Sequence, residues 1–315
     1  MPCETFKTVT QPPGAYALVV LTKDAVYAAR DMYGLRPLCI GRLPEDAGYI
    51  VASESCAIQT VGAEYVREVR PGEILKIDSS GLKSFVGREP AKKTAFCIFE
   101  YVYFSRPDSI LENQLVHTVR QRLGIQLAIE HPPPKGVSMV MGVPDSSIPA
   151  AIGYAAKTGI MYNEGLCKNR YIGRTFIQPG QELRKNAISL KYNPLVSNLK
   201  GRDIIVIDDS IVRGNTLNKL CRLLRSAGAK SVHVRISSPP VTNPCFMGIA
   251  ISEKEELIAH TKTIDEIAKH IGADSLGYLS HDGMLKAVRE GLETSESTGH
   301  CSACFTGDYP LKIDW

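Results

Sequence analysis

No stretch of this chain stays apolar for long. The longest early run, "AYALVVL" at residues 15–21, is far shorter than the roughly 20 residues a helix needs to cross a bilayer. The opening "MPCETFKTVT" has no charged segment leading into an apolar one, so no secretory leader is read there and a cytoplasmic protein is expected. Charge of one sign is also scarce. Lys and Arg number 37 against 33 Asp and Glu, and a net +4 is too small to recruit nucleic acid or an anionic membrane. There is no internal repeat, no DNA-binding helix pair and no basic face. What is present is a 315-residue chain with 44% hydrophobic residues, enough for a sizeable core and two domains. Its nine cysteines, in a reducing compartment, read as thiols or metal ligands rather than a disulfide framework.

From Gly14 to Ile77 short apolar runs alternate with turn residues: "AYALVVL", "AVYAARD", "GYIVASE" and "GEILKI". That rhythm predicts a β-rich segment. The polar "VGREPAKKT" at 86–94 marks a boundary. Beyond it Leu111, Leu115, Val119, Leu123 and Leu127 recur every four residues, predicting one helix face that "HPPP" stops. "VSMVMGV" reads as a strand and "IPAAIGYAAKTG" as a helix ending at Gly159. "DIIVID" is a strand, 215–227 a helix with Leu217, Leu220, Cys221 and Leu224 inward and Gly228 as its stop, and "SVHVRIS" another strand. Strand, helix, strand at this spacing predicts a parallel sheet covered by helices. "EGLETSESTGH" is polar enough to be a linker before the last cysteines.

The stretch "DIIVIDDSIVRGNT" (203–216) carries the chemistry. In an open parallel sheet ligands bind beyond the carboxyl ends of the strands, where Asp208 and Asp209 fall. Past them, Ser210, Arg213, Gly214, Asn215 and Thr216 lead into a helix start whose N–H groups and dipole suit a phosphate. Two carboxylates repel a phosphate but suit the vicinal hydroxyls of a sugar, or a divalent metal on those hydroxyls. A sugar phosphate satisfies both halves. The plainer alternative is that the acids merely cap a helix or turn.

"VIDDSIVRGNT" resembles the phosphoribosyl diphosphate motif of type I phosphoribosyltransferases. With "FCIFEYVYFSRPDS", "VPDSSIPAA", "CKNRYIGRTFIQP", "SSPPVTNPCFMGI" and "GHCSACFTGDYP", the chain is similar to the amidophosphoribosyltransferase family. The resemblance implies an α/β fold, a type I phosphoribosyltransferase parallel sheet with helices on both faces, preceded by the second half of an Ntn-type glutaminase β-sandwich. The expected domains are 1–90 (partial glutaminase), 91–292 (phosphoribosyltransferase) and 293–315 (a tail with Cys-x-x-Cys). The implied reaction forms 5-phosphoribosylamine and diphosphate from phosphoribosyl diphosphate and ammonia, the first step of purine synthesis. Glutamine is the family's nitrogen source, purine nucleotides its inhibitors, and a homo-oligomer its form.

Within that resemblance "VPDSSIP" matches the diphosphate loop, with Asp145, Ser146 and Ser147; Ser146, Asp208 and Asp209 would hold Mg2+. A bare helix N-cap is the plain reading of Asp-Ser-Ser-Ile-Pro. The basic stretch from Cys167 to Lys191 resembles the family's flexible loop over substrate, bringing Lys168, Arg170, Arg174, Arg184 and Lys191 to the diphosphate. Arg174 and Lys191 join the two acids as the expected catalytic groups, whereas Lys185 reads as solvated.

Cys301 and Cys304 form a Cys-x-x-Cys pair, and with Cys97 and Cys245 they suit either zinc or an iron–sulfur cluster by spacing. The resemblance implies a [4Fe-4S] cluster on these four, structural or oxygen-sensing because the reaction needs no redox step. Cys3, Cys39, Cys56, Cys167 and Cys221 are expected to be packing residues. One motif departs from the family. Its amino-terminal nucleophilic cysteine followed by Gly, Ile or Val, Phe and Gly is absent, since Cys3 follows Met1 and Pro2. The first half of the glutaminase domain is thus expected to be missing, leaving ammonia-dependent transfer or a catalytically incomplete fragment. A phosphoribosyl-diphosphate-binding regulator is the alternative on the same fold.

Overall fold

The computed structural model describes residues 14–169, 171, 191–249, 253–292 and 298–311. Two compact units divide the chain. The first draws on Met1–Val116, Pro244–Ser252 and Gly291–Trp315, the second on His117–Asn243 and Glu253–Glu290. Residues 91–116 and 244–249 therefore fold with the first unit, and so does the tail.

In the first unit β1 (Ala17–Leu21), β2 (Val26–Arg30), β3 (Cys39–Arg42), β4 (Tyr49–Ala52), α1 (Ser55–Thr60), β5 (Glu64–Glu68), β6 (Glu73–Asp78) and β7 (Gly81–Val86) make two antiparallel sheets. Their orders are β1-β2-β6-β7 and β4-β3-β5. Alternation decides which side chains face inward. Ala28, Ile40, Leu75 and Val69 gather with Val51 and Leu82 in one cluster drawn from both sheets, while Tyr27, Ala29 and Ile74 turn to the opposite face of the first sheet. β1 lies at an edge, and Val19, Val20 and Leu21 stay exposed there. The tail adds a two-residue parallel pairing in which His300 faces Phe96 and Cys301 faces Cys97.

The second unit begins with α2 (Val116–Glu130), five residues later than the leucine spacing predicts. Leu111 and Leu115 belong instead to a tiny hairpin, because Glu112 and Asn113 take positive φ (47° and 61°) and turn the chain back. Val119, Leu123 and Leu127 keep their place on the buried face.

Then come β8 (Met139–Gly142), α3 (Ile148–Thr158), β9 (Asp203–Asp208), α4 (Asn215–Ser226), β10 (Ser231–Ile236), α5 (Ile264–Ile271), β11 (Ser275–Tyr278) and α6 (His281–Arg289). The sheet order is β8-β9-β10-β11, all parallel, with Met139 opposite Ile204, Asp203 opposite Ser231 and His233 opposite Ser275. In β9, Ile204, Ile205, Val206 and Ile207 are all fully buried, so both faces of the sheet are covered, as a parallel sheet between helices requires. Leu217, Leu220, Cys221 and Leu224 of α4 fill one face with Ile267 and Ile271 of α5. α2 and α3 touch backbone to backbone: a Cβ at Gly124 would run into the Ala150 carbonyl, and one at Gly153 into that of Gln121. This is a parallel α/β sheet covered by helices on both faces.

Candidate functional site

β9 ends at Asp208, and the chain leaves the sheet there, so Asp208 and Asp209 stand where a parallel sheet presents ligands. Both are nonetheless buried, at 8% and 7% exposure. The loop after β8 meets them. Ser146 Oγ donates to Asp209 Oδ2 at 2.6 Å, Ser147 Oγ to Asp208 Oδ1 at 3.0 Å, and Ser210 Oγ to Asp209 Oδ1 at 2.6 Å. The Asp209 N–H also donates to Asp208 Oδ1 at 3.0 Å. Ser147 occupies the N-cap position of α3 without capping it, since its hydroxyl goes to Asp208. The helix-cap reading of Asp-Ser-Ser-Ile-Pro therefore fails for Ser147. Gly142 permits the approach: a Cβ there would come within 2.9 Å of the Ser147 carbonyl.

Burial pushes the Asp208 carboxyl well above the ordinary aspartate range, and the neighbouring Asp209 adds to it; the Asp209 N–H, Ser147 and Lys191 act the other way. Burial raises Asp209 too, opposed by Ser146, Ser210 and the Arg120 guanidinium. Two buried acids, each reluctant to ionise, make a site that favours a cation or a polyol.

Cations stand on one side. Lys168, on the short strand Leu166–Lys168, pairs with Asp145. That strand runs antiparallel to Tyr192–Pro194, and Asn169 N–H donates to the Lys191 carbonyl at 2.8 Å, so Asn169 and Lys191 are held side by side. Lys191 lies 5.1 Å from the Tyr192 ring centre, and Tyr192 Oη donates to the Pro144 carbonyl at 3.0 Å. Burial and then Lys168 lower the Lys191 ammonium's pKa, while Asp145, Asp208 and Asp209 raise it. Arg170, Arg174, Arg184 and Lys185 lie outside the described residues.

On the other side the loop 210–214 enters α4. Gly214 takes φ 76° at the N-cap, and no side chain caps the helix. Asn215 and Thr216 are exposed in its first turn. An uncapped helix start of this kind can receive an anion. Arg213, just before the cap, pairs with Glu256.

The structure thus brings Asp145, Ser146, Ser147, Lys168, Lys191, Asp208, Asp209 and Ser210 to one locus with the 214–216 cradle beside it. Sequence reasoning missed Arg120, whose signal was a charge within the apolar stripe of α2, where it is only 2% exposed. It also missed Tyr192 and Glu256, which carry no motif.

The four expected thiols all lie in the first unit. Cys97 and Cys301 are register partners, and Cys304 follows on a short helix. Burial pushes the Cys97 thiol up to about 12, with Glu100 adding to it. Burial, then Cys97, Cys301 and Cys245, push Cys304 higher still. Cys304 thus lies within electrostatic reach of the other three, although among the described residues no three His, Cys, Asp or Glu side chains are grouped to hold a single metal ion. Of the cysteines expected to pack, Cys39, Cys56 and Cys221 are buried and Cys3 lies outside the described residues. Cys167 is a correction: it is exposed, because its strand turns alternate residues outward.

Residues 125–237 match the phosphoribosyl transferase domain family. A solved structure of glutamine phosphoribosylpyrophosphate amidotransferase from B. subtilis, complexed with ADP and GMP, superposes with a TM-score of 0.88 at 47% identity, covering 99% of this chain and 67% of that one. The chain belongs to the amidophosphoribosyltransferase family. The amidophosphoribosyltransferase of Mus musculus is 47% identical over 97% of this chain and 66% of its own length. That of Synechocystis is 50% identical over 98% of this chain and 61% of its own. The chain spans about two thirds of the length of these amidophosphoribosyltransferases.

Proposed function

We propose that the second unit is the transfer centre of an amidophosphoribosyltransferase, making 5-phosphoribosylamine and diphosphate from phosphoribosyl diphosphate and ammonia for purine synthesis. The observation that carries this reading is the buried Asp208–Asp209 pair, hydrogen-bonded to Ser146 and Ser147 and set beside an uncapped helix start. The acids receive the ribose hydroxyls, the first turn of α4 receives the 5′-phosphate, and the 145–147 loop with Lys168 and Lys191 receives the diphosphate. Nitrogen's lone pair forms the bond to C1 as the C1–O bond to diphosphate breaks, and a proton leaves the nitrogen. Negative charge then grows on the leaving group, which Lys168 and Lys191 stand placed to offset. Arg174, with Arg170 and Arg184, is assigned to the same task from the family motif.

The oxygen donors Asp208, Asp209 and Ser146 fit Mg2+, a hard cation that takes carboxylates together with substrate oxygens. When bound it would neutralise diphosphate and orient the sugar. The four thiols Cys97, Cys245, Cys301 and Cys304 suit an iron–sulfur cluster or zinc by donor type, and the family motif favours the cluster. Cys97 and Cys301 are register partners, and Cys304 lies within electrostatic reach of all three others. Its role here is structural or oxygen-sensing. We read the two antiparallel sheets as the second half of a glutaminase-type sandwich, purine nucleotides as inhibitors, and the working form as a cytoplasmic homo-oligomer. No described helix is long and apolar enough to cross a membrane.

Calorimetry with phosphoribosyl diphosphate and Mg2+ tests the centre, alongside release of diphosphate when ammonia is supplied. Asp208→Asn with Asp209→Asn should weaken binding about a hundredfold, the scale of losing two charge-assisted hydrogen bonds. Equal binding by this double variant would refute the assignment.

A further inference from the structure

The phosphate loop has an outer wall that no motif announces. Ile211 anchors the loop from within, only 2% exposed. From outside, the Ile258 N–H donates to the Val212 carbonyl at 2.9 Å. A Cβ on Gly214 would meet Ile258 Cδ1 at 2.8 Å and the His270 ring at 3.3 Å. Backbone and glycine are thus held by one short segment, Lys254–Thr261, helped by α5. On that segment Glu256 takes the Arg213 guanidinium through Nε at 3.0 Å and through Nη2.

Arg213 directly precedes the cap of α4, so its charge belongs within reach of whatever anion the helix start receives. Instead it is paired with a carboxylate, and both side chains are about half exposed, at 48% and 41%. An exposed pair of this kind is weakly held and readily exchanged. A phosphate dianion offers the same guanidinium more charge and more acceptor oxygens than one carboxylate does.

We propose that Glu256 is an internal competitor of the ligand's phosphate for Arg213. The pair keeps Arg213 turned away until a doubly charged phosphate arrives in the cradle. Weaker anions, held by backbone N–H groups alone, leave it in place. Glu256 is thus a residue that sets selectivity while touching no ligand, and Arg213 is a reserve cation. This rests on the phosphate-binding role proposed above for the start of α4.

The test is calorimetric titration of ribose 5-phosphate into the full chain, its Glu256→Gln and Arg213→Ala variants and the double variant, at low and at raised salt. Glu256→Gln should tighten binding about threefold to fivefold at low salt, the range an exposed ion pair can supply. The gain should shrink with salt and vanish in the Arg213→Ala background. Unchanged or weaker binding by Glu256→Gln overturns the proposal, since a carboxylate that merely braces the loop would weaken binding on removal in both backgrounds. A gain that persists without Arg213 overturns it as well. If the native chain binds and Glu256→Gln shows no gain, this proposal alone fails. If none of the four proteins gives heat, the phosphate-binding role fails with it.

Discussion

The acid pair at the end of β9 and the four thiols of the first unit are the two places proposed to hold a metal, but they are assembled in different ways. The acids are neighbours in sequence, and hydroxyls from Ser146, Ser147 and Ser210 fix their oxygens before any ligand arrives. The thiols come from residues 97, 245, 301 and 304, and what draws them together is one register pairing and the packing of Cys245 and Cys301 with Leu35, Ala95 and Met247. A site made by a strand end and its loop is fixed by its own hydrogen bonds. A site made by distant segments would lean on the proposed cluster for cohesion, because neutral thiols hold one another weakly.

Removing the proposed metals gives the largest contrast. Chelation or oxidation of the loaded protein should cost the first unit on the order of several kcal/mol, seen as an early unfolding transition, while Mg2+ removal leaves the melting profile almost unmoved. A single shared transition that shifts equally in both cases would break the comparison. Next in size is Gly153→Ala, which forces α3 from α2 at the Gln121 carbonyl. Overpacking of this kind costs about 1–3 kcal/mol, and the prearranged acid site should lose affinity for phosphoribosyl diphosphate while iron content stays constant.

The smallest effect is the most diagnostic. Asp208 has a folded-state pKa raised above its unfolded value. Folded protein therefore holds that proton more tightly, and stability present at low pH falls as pH rises from the ordinary aspartate range through the raised value. Asp208→Asn should remove this fall and raise the melting temperature at neutral pH, by about 1 kcal/mol of stability, even as binding is lost. Thermal melts across pH check it; a destabilised variant with an unchanged pH profile would show that burial does not strain the pair.

Contiguity also explains what the sequence revealed. β9 and α4 were legible almost to the residue, since an apolar run, two acids, a glycine and a 3.6-residue stripe specify strand, turn and helix locally. The same spacing logic overran at Leu111 and Leu115, where two residues at positive φ interrupt a pattern that reads as helix. β5 and β7 escaped notice because "EYVRE" and "GLKSFV" are polar edge strands with little apolar signal. The acids and serines were visible as motifs. The partners that tune them, Arg120 acting on Asp209 and Glu256 paired with Arg213, were not, because each is brought in by an element distant in sequence. The split of the chain was hidden for the same reason, since the segment carrying Cys245 interrupts the second unit.

That interruption governs how the molecule can be taken apart. The polypeptide leaves the first unit after Val116, returns at Pro244, departs again after Ser252 and comes back at Gly291. No single cut therefore yields either half as a continuous piece. Expressing one half alone requires rejoining severed ends, and during synthesis the thiol-bearing portion stays incomplete until Cys301 and Cys304 have emerged from the ribosome.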